Sequence, residues 1–496
     1  MSNTLDKNNK IQLRTIIKII DKENKQAEQI YKELLLALKN AGKKRPIYQH
    51  ILGIYFIDLL KFFTGISYRQ NEYEHNPLLG DEDYQRISTR WPYLLMHEIK
   101  SGFKLNQFKW GHDFNNLSAL TKKKVLAKFL AFSNFIRGGA KGTLAITEGA
   151  MSLDRFKIAF RRRINFDLVA INKFGKIPID DLDKQLNDLD LVIAAILNIM
   201  RYPIEFETAR TILHNHIKAN CISGTSPRIS SADVLVAGSG CAIENRLLAY
   251  MARHHGMRVV NIFHGGSYGV QSKPSFNQGE KLMATDLAVF GQIQDFPGEE
   301  NLAFINGRYE KIRPITKSRK ICLPKIGDRL MYVPTSLRND NKRFGPYEDM
   351  SDVHYVKLWG MMRNIFGTDL IIKLHPKNNV NIQVAMPVIT ENFEFCLNSA
   401  DTFIFDYVST AFTIATATDK PIIYLDYGLQ NFTDQGIKNI KSRCIYYDMS
   451  LDLPHAFEDI VEKAKTMTFN HDYIEKFVAA DGQETIDEAV FSALLR

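Results

Sequence analysis

Three short clusters combine residue types that could hold an anion and move a proton. The first is Phe263-His264-Gly265-Gly266-Ser267-Tyr268-Gly269. Glycines so close together let a backbone approach a ligand and adopt positive φ. His264 can donate a hydrogen bond or exchange a proton near neutral pH. A glycine turn with a surface histidine is the plainer alternative. The second is Leu374-His375-Pro376-Lys377. Pro376 stops a strand ladder and fixes the backbone, and Lys373 and Lys377 put positive charge beside His375, which suits a phosphate or diphosphate. An ordinary strand end reads the same way. The third is Phe405-Asp406-Tyr407-Val408-Ser409-Thr410-Ala411. Here a strand runs into a helix start with free N–H groups and two hydroxyls, an arrangement that binds anions. Ser409 or Thr410 would look the same if it only capped the helix.

The elements that must position these clusters follow from apolar periodicity. Residues 11–40, 46–66, 117–137 and 180–218 read as helices, with Gly138–Gly139 ending the third and Pro203 breaking the last. Residues 143–146 form a short apolar run of strand length, followed by Thr147, Glu148 and Gly149. From residue 232 strands and helices alternate. Strands are expected at 233–237, 258–263 and 287–290, with a helix at 241–254. Residues 306–328, rich in Lys, Arg, Gly and Pro, read as a linker region. The scheme then repeats, with strands at 329–333, 369–374, 402–405 and 421–425 and helices at 347–366, 408–418 and 455–494. Short apolar strands separated by helices imply parallel sheets. The expected fold is α/β, two Rossmann-type domains facing across a cleft. The first spans 1–315 and is enlarged by helices. The second spans 316–496, and its last helices are expected to cross back and brace the first.

Composition narrows the function class. The chain has 496 residues, more than one core usually serves. The five cysteines, at 221, 241, 322, 396 and 444, form no zinc spacing or disulfide framework and fit a reducing compartment. Met1–Lys10 lacks the apolar core of a signal peptide. The most apolar run, 51–66, carries Asp58 and Lys61 and falls short of the ~20 residues of a membrane span. A cytoplasmic location is expected. The net charge of +9 suggests weak, salt-sensitive contact with an anionic membrane surface. The basic residues are dispersed rather than gathered in a stripe, which argues against nucleic acid. Other features are set aside. Gly238-Ser239-Gly240 has Ile243 where a dinucleotide fingerprint needs its third glycine. His214 and His216 face different ways on a helix, His254 and His255 read as a helix end, and Arg161–Arg163 as a solvated face or an acidic-ligand contact. No metal motif is present.

The HP strand end, the later Ser-Thr helix start and the strand at 420–424 resemble the donor-binding half of GT-B glycosyltransferases. In particular they resemble bacterial enzymes with CMP- or CDP-activated donors: sialyltransferases, Kdo transferases and glycerophosphotransferases. The stretch Arg45–Ile57, the helix around Glu244, the loop at 264–269, Glu280 and Asp286 are similar to surface-carbohydrate transferases that include the β-Kdo transferases. One departure is Phe263, where that group shows Gln. The resemblance implies transfer of Kdo or a similar acidic sugar from a CMP donor to a lipid-linked or oligosaccharide acceptor in capsule or lipopolysaccharide O-antigen assembly, with no metal cofactor.

It further implies that His375, Ser409 and Thr410 contact the donor phosphate and that His264, Gly265 and Gly266 face the donor from the first domain. The first domain should also supply a carboxylate, as base or nucleophile. Glu148 follows a strand and precedes a glycine. Glu244 lies in the first turn of a helix after a strand. Asp233 begins its strand and belongs to the opposite edge. A CDP-glycerol or CDP-ribitol phosphotransferase shares the HP and Ser-Thr features; a non-catalytic glycan-binding module is a further alternative, against which the intact His264, His375 and Ser409–Thr410 argue.

Overall fold

The computed structural model describes residues 25–63, 117–147, 150–171, 174–200, 204–238, 242–263, 269–271, 281–293, 302–312, 329–334, 359–374, 386–449, 459–462 and 470–494, apart from isolated positions within them. Residues 28–42 and 51–60 are helical, joined through a 3-10 turn at Ile47–Gln49. Then follow α1 (Leu117–Ile136), β1 (Gly142–Thr147), α2 (Leu153–Arg162), β2 (Ile164–Val169), β3 (Ile177–Ile179), α3 (Leu182–Ile199), α4 (Phe206–Asn220), β4 (Cys221–Ser223), β5 (Val234–Ala237), α5 (Ile243–His254), β6 (Arg258–Ile262), β7 (Asp286–Phe290) and β8 (Ala303–Gly307). The second half runs β9 (Leu330–Val333), β10 (Ile371–Lys373), β11 (Val388–Ile389), β12 (Thr402–Phe405), α6 (Thr410–Thr416), β13 (Ile422–Asp426), α7 (Asp434–Arg443), β14 (Ile445–Asp448), α8 (Asp472–Phe477) and α9 (Ile486–Leu494).

The strands build two six-stranded sheets, ordered β2-β1-β5-β6-β7-β8 and β11-β10-β9-β12-β13-β14, and a small β3-β4 pair. Every pairing within them is parallel. Each large sheet is a Rossmann-type unit. From β9 the chain steps outward through β10 to β11, returns to the other side of β9 as β12, and continues to β14. The order therefore reverses between β9 and β12, and in the first sheet between β1 and β5. Such switch points open a crevice beyond the carboxyl ends of the strands.

Parallel strands are buried on both faces, so alternate residues must serve two cores. In the first sheet Leu144, Ile146, Val236 and Val260 pack with Leu130 of α1, Ala159 of α2 and Val490 of α9. Their neighbours Ala145, Leu235 and Val259 pack on the other face with the helices at 28–42 and 51–60, α3, α4 and α5. Helix α3 meets that face with Leu182, Leu186, Leu189, Ile193 and Ile196, the spacing of one helical stripe. Gln185 accepts from the Ile51 N–H at 2.7 Å and donates to Asp180 O at 2.8 Å, fixing where the 51–60 helix begins.

Several elements differ from the sequence expectation. The strands β2, β3, β4, β8, β11 and β14 do not stand out as apolar runs. Gly307, read as linker, ends β8. The helix expected at 408–418 spans only Thr410–Thr416.

The chain end leaves the second unit and returns to the first sheet. Gln292 N–H donates to Lys476 O at 3.0 Å, Gln483 Nε2 to Gly291 O at 2.7 Å and Arg308 Nε to Gln483 O at 3.1 Å. Helix α9 then lies on β7 and β8. Arg155 of α2 pairs with the buried Asp487 at 2.7 Å. A Cβ on Gly307 would overlap the Ile486 backbone, and one on Gly436 the Val270 carbonyl. Gly307→Ala and Gly436→Ala are each expected to cost about 1–3 kcal/mol. Gly142→Ala, whose Cβ meets nothing, should stay within about 0.5 kcal/mol of wild type. Chemical denaturation checks this, and equal midpoints for all three would contradict the close seating of α9 and of Val270.

Candidate functional site

In the second unit the site begins at the switch point. Strand β12 ends at Phe405, and the next residue, Asp406, is 1% exposed. Its carboxylate accepts from the Tyr332 hydroxyl on β9, across the point where the strand order reverses. Its backbone carbonyl accepts from the Tyr424 hydroxyl on β13 at 3.3 Å. Gln430, from the segment after β13, accepts from the Val408 N–H at 2.6 Å. Strand-end residues 406–408 are thus held from both sides.

Ser409 follows as the N-cap of α6, its hydroxyl accepting from the Phe412 N–H at 3.3 Å. This is the capping role that competed with phosphate binding in the sequence. The two are compatible. A cap uses an acceptor lone pair, and the hydroxyl keeps its own O–H to donate. Thr410 is the first helical residue, and both are half-buried. Helix α6 has seven residues, so its dipole is small. Its far end is gripped by Arg443 of α7, which is 1% exposed. Arg443 donates to the carbonyls of Thr416 at 2.9 Å, Thr418 at 2.7 Å and Lys420 at 3.1 Å.

Lys373, the last residue of β10, is buried, and its ammonium donates to Leu374 O. Burial pushes its pKa below the ordinary lysine value, opposed by Cys396, Glu394 and Glu391. It orders the strand end just before His375 rather than standing open to solvent. His375 and Lys377 lie outside the described residues, as do Glu148, His264, Gly265 and Gly266.

In the first unit the switch point lies between β1 and β5. Thr147, ending β1, accepts through its hydroxyl from the Gly238 N–H after β5 at 3.1 Å. That bond ties the carboxyl ends of β1 and β5 together. Glu244 is half-buried in the first turn of α5. Two residues on, Arg246 is fully buried, donating to Ile54 O at 2.6 Å and to Asp58 Oδ2 at 2.5 Å. The helix bearing Glu244 is therefore bolted to the 51–60 helix. Asp233 precedes β5 at the opposite edge, its side chain 97% exposed and 3.8 Å from Arg228.

The two units meet at Phe263 and Val270, on either side of the glycine loop. Phe263, which enters it, is buried in one core with Leu287 and Val289 of the first sheet and Met331, Phe405 and Phe412 of the second unit. Its aromatic bulk, unlike Gln, fills that shared core. Val270, which leaves the loop, accepts at its carbonyl from Thr433 N–H at 3.0 Å and Thr433 Oγ1 at 3.3 Å, and Gln271 bridges to Phe432. Thr433 stands three residues after Gln430, which holds Val408 beside Ser409. The anchors of the first-unit loop and of the Ser409–Thr410 turn thus sit on one short segment, 430–433. Sequence reasoning missed Gln430, Thr433, Arg443 and the Asp58–Arg246 pair, each linked to its partner only by tertiary contact. The one available signal was Asp58 inside an apolar run.

No protein-family model and no curated protein matches the chain. Among solved structures it is similar to the glycosyltransferase SnogD from Streptomyces nogalater, at 10% identity over 72% of this chain and 100% of that one, TM-score 0.36. It is similar to the spinosyn forosaminyltransferase SpnP, at 13% identity over 74% and 94%, TM-score 0.30. It is also similar to a putative UDP-N-acetylglucosamine 2-epimerase from Listeria monocytogenes, at 11% identity over 74% and 92%, TM-score 0.31. At such scores these likenesses carry no weight for function, and their stated activities differ from one another.

The Asp58–Arg246 pair yields a direct test. Removing one partner of a buried ion pair strands the other charge, at about 3–5 kcal/mol, while replacing both with apolar residues is often near neutral. Asp58→Leu is expected to lose that amount in denaturant titrations, and Asp58→Leu with Arg246→Met to recover most of it. A loss below about 1 kcal/mol in the single variant, the size of an exposed pair, would show that the clamp does not hold α5.

Proposed function

We propose that the protein is a nucleotide-sugar-dependent glycosyltransferase whose donor is CMP-activated, carrying Kdo or a similar acidic sugar to a lipid-linked or oligosaccharide surface glycan. The observation that carries this reading is the convergence of the glycine-loop anchors and the Ser409–Thr410 turn on segment 430–433. A donor bound there would touch both units. The choice of cytidine rests on the motif resemblance at 374–377 and 405–411.

In this reading the second unit holds the leaving nucleotide. Ser409 and Thr410 donate to its phosphate, His375 and Lys377 offset its charge, and Lys373 fixes the strand end on which His375 follows. Positioned donors of this kind stabilise negative charge as it develops. The acceptor hydroxyl attacks the anomeric carbon, the bond from that carbon to the phosphate oxygen breaks, and the electron pair leaves on CMP. Glu148 or Glu244 takes the hydroxyl proton, or one of them first forms a glycosyl ester that the acceptor then displaces. His264, Gly265 and Gly266 close over the donor from the first unit. The groups named handle the phosphate charge without a metal ion.

A thermal-shift panel of CMP, CDP, UDP and GDP tests the proposal. CMP and CDP are expected to stabilise the protein, by about 2.7 kcal/mol at a hundredfold excess over Kd. Ser409→Ala with Thr410→Ala should weaken cytidine nucleotides about tenfold, the worth of one hydrogen bond to a charged group. The comparison uses the ligand-induced shift, because losing the Ser409 cap alone costs about 1 kcal/mol of stability. A response to UDP or GDP only would overturn the cytidine donor. No response to any nucleotide would overturn the transferase.

A further inference from the structure

Helix α1 has apolar residues on two opposite faces, where a helix lying on a sheet needs one. The inner face presents Ala127, Leu130 and Asn134, all buried, with Asn134 Nδ2 donating to Asn165 of β2 at 2.9 Å. The outer face carries Val125, Phe129, Phe132 and Ile136, spaced i, i+4, i+7, i+11 and therefore aligned in one stripe. Phe135 flanks it at 79% exposure, and Phe132 is 62% exposed. The stripe continues onto α2, where Phe156 and Phe160 lie 6.4 and 6.5 Å from Phe129. An outward aromatic surface of this kind is a contact surface rather than scattered exposure.

Its charge frame selects the partner. Helix α1 contains no acidic residue. Lys124 and Lys128 are exposed on it beside the stripe, and Arg137 and Lys141 follow its end. Arg137 stacks over the Phe160 ring at 4.9 Å. A second copy of this chain, meeting the face about a two-fold axis, would set these cations against themselves. Anionic headgroups match them. None of the described helices is long and apolar enough to cross a membrane.

We propose that the α1–α2 face lies on the surface of an anionic lipid bilayer, with Phe129, Phe132, Phe135 and Ile136 entering the headgroup–acyl boundary and the lysines at the phosphates. This inference does not depend on the transferase reading. It changes the expectation drawn from net charge alone, because inserted aromatic surface is not screened by salt.

Flotation of the full chain with phosphatidylglycerol-containing vesicles tests it. Wild type is expected to float at low salt and to retain part of its binding at about 0.5 M NaCl, where exposed charges are screened beyond roughly 4 Å. Phe132→Ser with Phe135→Ser should reduce vesicle partition about tenfold or more at either salt. Lys124→Glu with Lys128→Glu should lose mainly the low-salt component. Circular dichroism and melting confirm that both exposed-site variants fold. The proposal is overturned if wild type does not float, if the phenylalanine variant floats as wild type does, or if sedimentation shows a dimer that this variant abolishes.

Discussion

The carbonyl of Val270 occupies the space that a side chain at position 436 would need, and the arrangement of the site depends on that contact. Thr433 donates to the carbonyl through both its N–H and its hydroxyl. The same hydroxyl accepts from the Gly436 N–H at 2.8 Å and caps α7. Only a residue without a Cβ lets the strand-end loop of the first unit come this close. The two sheets share one core, in which Leu287 and Val289 of the first pack with Met331 and Phe405 of the second. The Val270 contact, with Phe263 buried beside it, decides which loops of the two sheets become neighbours. Through Gln430 the same segment reaches Val408, so the exit of the glycine loop and the start of α6 are positioned together.

Around that junction, polar groups inside the fold hold loops rather than add bulk stability. Arg443 satisfies three carbonyls behind α6, which leaves the front of that short helix to Ser409 and Thr410. Asp58 and Arg246 pin the helix bearing Glu244. Asp426, ending β13, is raised above the usual carboxylate range by burial, and accepts from Tyr446 and, at 2.8 Å, from the Gly428 N–H. The Asp58–Arg246 and Asp426 contacts lie at a carboxyl edge or on the helix that follows one, while Arg443 grips the far end of α6 ahead of β13. A buried charge that lost its partner would be costly there, so these edges are confined to one arrangement. The return of α9 to the first sheet adds a covalent and packed strap between the units.

The interior of the fold was legible in the sequence. Strands β1, β5, β6, β7, β9, β10, β12 and β13 each stand out as apolar runs because both faces are covered. The four that escaped from the large sheets, β2, β8, β11 and β14, are their edges. An edge strand has one neighbour; Asn165, Asp167, Asn306 and Asp448 bring polar residues into β2, β8 and β14, and β11 is only two residues long. In the site, the Ser409–Thr410 start and the first-turn place of Glu244 were readable because strand, turn and helix are consecutive. Gln430, Thr433 and Arg443 were not, since nothing local marks a residue whose partner is a backbone group far along the chain. The outward stripe on α1 was hidden for a related reason. Apolar residues on two faces read simply as a hydrophobic helix until the sheet shows which face is covered.

We propose that the loop after β6 and the turn before α6 belong to one nucleotide site. Amide hydrogen exchange with and without CMP tests it most directly, because bound ligand slows exchange only where it orders or covers backbone. Slower exchange in peptides spanning 263–271 and 405–412 together, at one nucleotide concentration dependence, is the predicted result. Protection of only one of the two, or of neither, would contradict it.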